Sequence, residues 1–336
     1  PSPTPKTSSA ASEVYKRQIQ GLTAKIAGGT LVFILVGLCA LVRADDALIN
    51  EVSHHYAKNN GVNIHYVKTG RGPLVVMIHG FPDYWYSWRD QMNVLKDRFT
   101  VVAIDQRGYN KSDQPEGVAA YTMPNLVADV AAVIRAEGAK KATIVGHDWG
   151  GAVAWQVAFA LPQMVENLVI LNLPHPNGMA RELASNVEQQ RNSAYARRFI
   201  EGSANDPEIL GGYPMTAQTL ANWVKDPAAK VHYEAAFQRS SFAAMLNFYK
   251  ANYPRSGIDS TVAPATPPPP LTMPALIFHG LKDTALHSDG LNNTWDWSKK
   301  DVTIVTVPGA GHFVQQDAPV LVGETLRWWL SSRYEL

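Results

Sequence analysis

The sequence predicts an α/β protein: a mostly parallel eight-stranded sheet flanked by helices, with a helical cap (a lid) inserted after the sixth strand. Three observations carry this. Leu74–Ile78 and Thr100–Ile104 are short, unbroken apolar runs, as expected of strands covered on both faces. Helical periods alternate with such runs as far as Leu171. From about residue 175 to 262 the alternation gives way to Arg- and Gln-rich helical stretches with many aromatics, and then it resumes.

Along the chain, Val62–Val67 alternates apolar and polar residues and predicts an edge strand. Asn125–Glu137 places Leu126, Val130, Val133 and Ile134 on one helical face, with Gly138 as its stop. Ala142–Val145, rich in β-branched residues, predicts a strand, and Ala152–Ala158 after it a buried helix. Leu168–Leu171, Ala275–Phe278 and Val302–Val307 predict further strands, and Pro319–Leu330 a closing amphipathic helix. Residues 51–174 and 271–336 thus form the predicted core, and residues 175–270 the cap. The cap ends in Pro264–Pro270, whose prolines exclude helix and leave a stiff extended connector. Open α/β sheets bind ligands at the carboxyl ends of their strands, which is where such a cap would lie.

The chain has 336 residues, 46% apolar, with a net charge of +1, enough for a large core and no electrostatic basis for binding nucleic acid. No internal repeat is present. The first 50 residues are different material. Residues 1–11 are Pro/Ser/Thr-rich and expected to be disordered. Val14–Gln18 resembles a translated sequencing adaptor, so residues 1–18 are expected to be a non-native leader. Ile26–Val42 is 17 residues without a charge. As a helix it would be about 25 Å long, slightly short for a bilayer core. Residues 19–50 are therefore expected to be a signal peptide cleaved after Ala44, or else an uncleaved transmembrane anchor. Lys16, Arg17 and Lys25 precede the segment and orient the α/β domain outside the cytoplasm, so it is expected to be periplasmic, secreted or membrane-anchored. Cys39, the only cysteine, follows Leu38 rather than a small residue and is a poor lipid-attachment site. A cysteine-free remainder suits an oxidising compartment.

The most informative run is Gly146-His147-Asp148-Trp149-Gly150-Gly151. A strand, a sharp turn and a helix meet here, and the glycines let the central side chain project alone above the sheet. A serine at that point would be acylated. A carboxylate instead attacks a saturated carbon and becomes an alkyl ester itself, which suits epoxides and haloalkanes. His312 follows the last strand, in Pro308–Phe313, and Asp283 follows the strand before it. Nucleophile, acid and histidine therefore occur in the chain order of the α/β-hydrolases. Asp283 would fix the imidazole, and His312 would activate the water that attacks the ester. Asp289 is the alternative acid. His79-Gly80-Phe81-Pro82 follows the third strand, and backbone N–H groups of Phe81 and Trp149 are the expected oxyanion hole. Phe81–Pro82 is a candidate cis bond in a tight turn, and His79 a structural residue holding that loop. The chemistry calls for neither metal nor cofactor.

These motifs, with Ser87-Trp88-Arg89-Asp90-Gln91 and Asp105-Gln106-Arg107-Gly108-Tyr109, resemble the α/β-hydrolase-fold epoxide hydrolases of the soluble and bacterial type over about residues 53–333. The resemblance implies two lid tyrosines that hold the epoxide oxygen and protonate it as the ring opens. Asn247-Phe248-Tyr249 resembles the family's Asn-Trp-Tyr and points to Tyr249. Ser193-Ala194-Tyr195 resembles the first lid position and points to Tyr195, although Ala196–Phe199 is more basic than the family's aromatic run. Tyr121, Tyr213, Tyr233 and Tyr253 are the alternatives. Substrate would lie against Trp149, Phe81, Tyr195 and Tyr249. Asn110 stands where the family has glycine, and asparagine tolerates positive φ.

The expected function is hydrolysis of an epoxide to a vicinal diol through an ester on Asp148. The expected partners are a small-molecule epoxide and water, with any membrane association through residues 26–42, in a monomer or homodimer. A haloalkane or haloacid dehalogenase is the alternative. Trp149 would supply one halide donor there, but Phe81 stands where haloalkane dehalogenases commonly have Asn. Fluoroacetate dehalogenases usually have Arg in place of Trp149. A non-catalytic, ligand-binding relative is more remote, since every catalytic part is retained.

Overall fold

The computed structural model describes residues 47–254 and 266–334. The expected leader and the apolar segment of residues 26–42 lie outside these. Among the described residues no helix is long and apolar enough to cross a membrane.

The sheet consists of β1 (Ser53–Asn59), β2 (Val62–Gly70), β3 (Leu74–Ile78), β4 (Thr100–Ile104), β5 (Ala142–His147), β6 (Val165–Leu171), β7 (Ala275–Gly280) and β8 (Val302–Val307). Their spatial order is β1-β2-β4-β3-β5-β6-β7-β8. β2 runs antiparallel to both β1 and β4. All other pairs are parallel. β3 and β5 are buried along their whole length; β3 is wholly apolar, and β5 is mainly apolar or small but also buries Thr143 and His147.

Val62–Val67 is not the edge. β2 lies one strand in, and Ile64 through Val67 are all buried. The alternation misleads because His65 is a polar residue on an inner face, where its Nδ1 meets Asp105 Oδ2 at 2.6 Å. The true edge, β1, has a mostly polar, largely exposed sequence that carries little strand signal.

Around the sheet lie α1 (Arg89–Leu95), α2 (Met123–Ala136) and α3 (Trp149–Ala160). α2 has a proline in its first turn and buries Leu126, Val130, Val133 and Ile134, the face its periodicity marks. α3 is buried on nearly all sides through Ala158, packed on β5, β6 and α2.

Between β6 and β7 the chain forms the cap: α4 (Pro176–Ser185), α5 (Val187–Asn192), α6 (Ala194–Glu201), α7 (Ala217–Leu220), α8 (Pro227–Gln238) and α9 (Phe242–Asn252). Asn186, Thr216, Asp226 and Ser241 cap α5, α7, α8 and α9 through their side chains. Residues 266–270 of the proline run carry no helix or strand. After β8 come α10 (Val314–Asp317) and α11 (Pro319–Tyr334), the latter packed on α1.

Candidate active site

Asp148 occupies the turn between β5 and α3 with φ 51° and ψ −121°. A non-glycine residue held there costs on the order of 1–3 kcal/mol, a strain the surrounding packing must offset. The packing is close. A Cβ at Gly150 would strike the carbonyl of Ile78, and one at Gly80 would strike the Asp148 side chain. The two glycines let the Phe81 loop and the start of α3 approach the same carboxylate.

That carboxylate has two environments. Oδ1 accepts the Phe81 N–H at 2.7 Å, while Oδ2 lies 3.4 Å from His312 Nε2. The Trp149 N–H makes no hydrogen bond to either oxygen in this resting geometry, so one of the two expected oxyanion donors is engaged. His312 Nδ1 meets Asp283 Oδ2 at 2.9 Å. Asp283 Oδ1 accepts the N–H groups of Ala285 at 2.7 Å and Leu286 at 3.1 Å. Asn172 donates to Asp283 Oδ2 at 2.7 Å from just past β6, where its own φ is 42°. Asn172 was not evident as a site residue; its only signal is a polar residue directly after an apolar strand. Asp289 is exposed and lies beside His287, with 3.5 Å between Oδ2 and Nδ1, and not beside His312.

Electrostatics follow from this geometry. Burial pushes Asp283 up, but the charge and hydrogen bond of His312, with the Asn172 and Ala285 donors, hold it well below the usual carboxylate range. Asp148 is likewise raised by burial, and the hydrogen bond and charge of His312 outweigh that to leave it lowered. Burial opposes charge on His312, yet Asp283 and Asp148 together lift it well above an ordinary imidazole. The two carboxylates thus favour the protonated form of the His312 imidazole between them.

Tyr195 and Tyr249 close the site from the cap, their rings 5.9 Å apart and nearly perpendicular. Tyr249 also meets the rings of Trp149 at 4.9 Å and Phe81 at 5.6 Å. Burial first, then the Tyr253 and Tyr195 neighbours, raise both phenols well above their usual range, so both keep their protons. Both line a cavity of about 180 Å³ together with Asp148, Trp149, Trp155 and Leu173. Tyr253 lines it too. Tyr121 does not, donating to the Pro115 carbonyl, and Tyr233 donates to Asp83. Tyr213 is 64% exposed. The Phe81 ring packs on Phe199 and Tyr249, leaving its N–H as its contact with Asp148.

Phe81–Pro82 is cis. His79 is fully buried; its Nδ1 lies 2.8 Å from the Gly80 carbonyl, and its Nε2 accepts the Gln106 N–H at 3.0 Å. Burial lowers it to about 4, which leaves it neutral and holding the loop. Asn110 has φ 45°, and its side chain bridges Asp105 and Arg239 of the cap. Among the described residues, Glu182, His287 and Asp289 bring three ligand-type atoms within 4.8 Å. Arg181, Asn186 and the Asp289 N–H already engage Glu182 and His287, so this cluster is a hydrogen-bonded helix junction.

The α/β hydrolase fold family matches residues 73–319. Epoxide hydrolase 1 of Caenorhabditis elegans is 33% identical over 291 residues, covering 82% of this chain and 70% of that protein. An AB hydrolase superfamily protein of Bacillus subtilis, YfhM, is 32% identical, covering 84% of this chain and 99% of its own length. Among solved structures, a variant of an epoxide hydrolase from Bacillus megaterium, with its product (R)-3-[1]naphthyloxy-propane-1,2-diol, superimposes with a TM-score of 0.74 at 29% identity, covering 82% of this chain and 100% of that one. The fold and the elbow define an α/β-hydrolase. Within that class, the chain belongs to the epoxide hydrolase family.

Proposed function

We propose that this chain opens epoxides to vicinal diols through a covalent ester on Asp148. The observation that carries this reading is that Asp148 and two tyrosines that keep their protons, Tyr195 and Tyr249, line one cavity. An epoxide needs both partners at once: a carboxylate to attack carbon, and an acid for the departing oxygen. Such acid assistance contributes roughly 10²–10⁴ in rate.

In the first step Asp148 Oδ2 attacks a ring carbon, the C–O bond breaks, and a tyrosine proton passes to the oxygen. Alkylation cancels the charge on Asp148. His312 then loses one of the two carboxylates that raise it and releases its proton to solvent, while the tyrosinate left by ring opening regains a proton from solvent, so that the two transfers balance. The neutral imidazole, still oriented by Asp283, takes a proton from water as the water attacks the ester carbonyl. Negative charge develops on Oδ1, where the Phe81 N–H already stands. As the bond between the ester carbonyl carbon and the substrate oxygen breaks, the proton held by His312 passes to that departing oxygen and the diol leaves. The re-formed Asp148 acid then gives its proton back to His312. The resting ion pair therefore becomes a base only after the nucleophile has reacted. Ester hydrolysis is accordingly expected to slow as pH falls and His312 of the ester is protonated. Its midpoint should lie below that of His312 in the free enzyme, and rapid-mixing kinetics across pH measures this.

The test is diol formation from an aryl epoxide such as styrene oxide. Turnover is expected in the wild type and a loss of more than about 10³-fold in Asp148→Asn. Folded protein that forms no diol contradicts the reading, and halide release from haloalkanes then becomes the assay.

A further inference from the structure

Two residues past Phe81, Asp83 is completely buried and takes no part in the chemistry above. Its Oδ1 accepts the Tyr84 N–H at 2.9 Å and the Tyr233 hydroxyl, from α8 of the cap, at 2.8 Å. Its Oδ2 has no hydrogen-bond partner. The Tyr233 oxygen in turn accepts Gln316 Nε2 at 3.0 Å, and Gln316 Oε1 accepts Arg89 at 3.3 Å. Gln316 belongs to α10, four residues after His312, and Trp223 of the cap stacks on the intervening Phe313 at 3.6 Å. One hydroxyl thus joins three pieces: the oxyanion loop, the cap, and the segment that follows the catalytic histidine.

We propose that Asp83 and Tyr233 are positioning residues, clamping the cap onto the loop that carries the Phe81 N–H and so holding that donor on Asp148 Oδ1. This rests on the ester mechanism proposed above. A buried carboxyl with one unpartnered oxygen is a poor stabilising device, because an apolar pair of the same shape would avoid its desolvation. Burial pushes Asp83 up to about 8, against the pull of the Tyr84 N–H, Tyr233, Arg89 and Ser87, so the group stands as a neutral acid. What it offers is one oxygen accepting from two sides, a geometric role. The Phe81 donor meets developing charge when water attacks the ester. The clamp therefore acts on ester hydrolysis and much less on ring opening.

The test follows both phases by rapid mixing with styrene oxide, reading ester by intact mass and product as diol. Tyr233→Phe removes the hydroxyl and keeps the ring. It is expected to slow ester hydrolysis roughly tenfold or more, as misplacement of a reacting group does, with ester accumulating and alkylation near the wild-type rate. Asp83→Ala should do the same. Asp83→Asn retains an accepting oxygen in place and should recover most of what Asp83→Ala loses. Ester hydrolysis unchanged in Tyr233→Phe overturns the proposal. So does a fall of both phases in equal proportion, which marks lost folding alone, or an Asp83→Asn no better than Asp83→Ala. Wild type that forms no ester at all refutes the mechanism itself, and the two failures are distinct.

Discussion

At the residue scale the proposed catalytic groups stand out most in the sequence, because the chemistry they would perform fixes residue type and chain order together. Asp148 stands out where a serine is expected, and Asp283 and His312 follow in the required order, each just past a strand. Asn172 and Asp83 were invisible by the same logic. An asparagine after a strand or an acid after a proline has many ordinary uses, and only contacts distant in sequence give these two a purpose. The lid tyrosines lay between these cases. Four alternatives were open, and burial with contacts sets Tyr121, Tyr213 and Tyr233 away from the cavity while leaving Tyr253 on its wall. If Tyr195 and Tyr249 share the proton-donating role, each Tyr→Phe change alone lowers alkylation about tenfold, and the double change about 10²–10⁴-fold, in single-turnover kinetics. His312→Gln removes the base while sparing the nucleophile. Intact mass after epoxide exposure is then expected to show a stable adduct equal to the substrate.

At the element scale, strand position was harder to read than strand existence. β3, β4 and β5 announce themselves by unbroken apolar runs, whereas β2 passes for an edge because His65 satisfies its ring by pairing with Asp105 inside the sheet. A second buried pair ties the loop after β4 to α2. Arg107 Nε donates to Asp129 Oδ2 and its second amine to Oδ1, both at 2.7 Å. Asn59 at the end of β1 donates to the same carboxylate at 2.8 Å. Removing one partner leaves the other charged and dry, so Arg107→Ala should cost about 3–5 kcal/mol in denaturant unfolding. An exposed pair such as Lys141 with Glu166 should cost about 0–1 kcal/mol in the same assay.

At the scale of the whole molecule, the cap's insertion point was legible because alternating strands and helices stop after Leu171 and resume at Ala275. Its internal packing was not, since short polar helices bury themselves by contacts that periodicity does not encode. Stability should depend on pH through buried histidines. Burial lowers His79, His147 and His175 to about 4, against an unfolded value near 6.5. Groups lowered in this way contribute stability that is complete above about 6.5 and is lost as pH falls toward their folded values, up to about 3 kcal/mol each. The melting temperature is therefore expected to drop between about pH 7 and about pH 5. A flat profile over that window contradicts neutral burial of these rings. His312 has the opposite sign, because its raised value favours the fold below about 6.5 and that contribution fades as pH rises through the folded value.

The central claim is that an oxygen of Asp148 enters the product. Single-turnover hydrolysis in heavy-oxygen water, with enzyme in excess, tests it most directly. The predicted result is a first-turnover diol largely free of solvent label, with the label found on Asp148 of the recovered enzyme. Diol fully labelled in that first turnover, with Asp148 unlabelled, would mean that water opens the ring directly and that no ester forms.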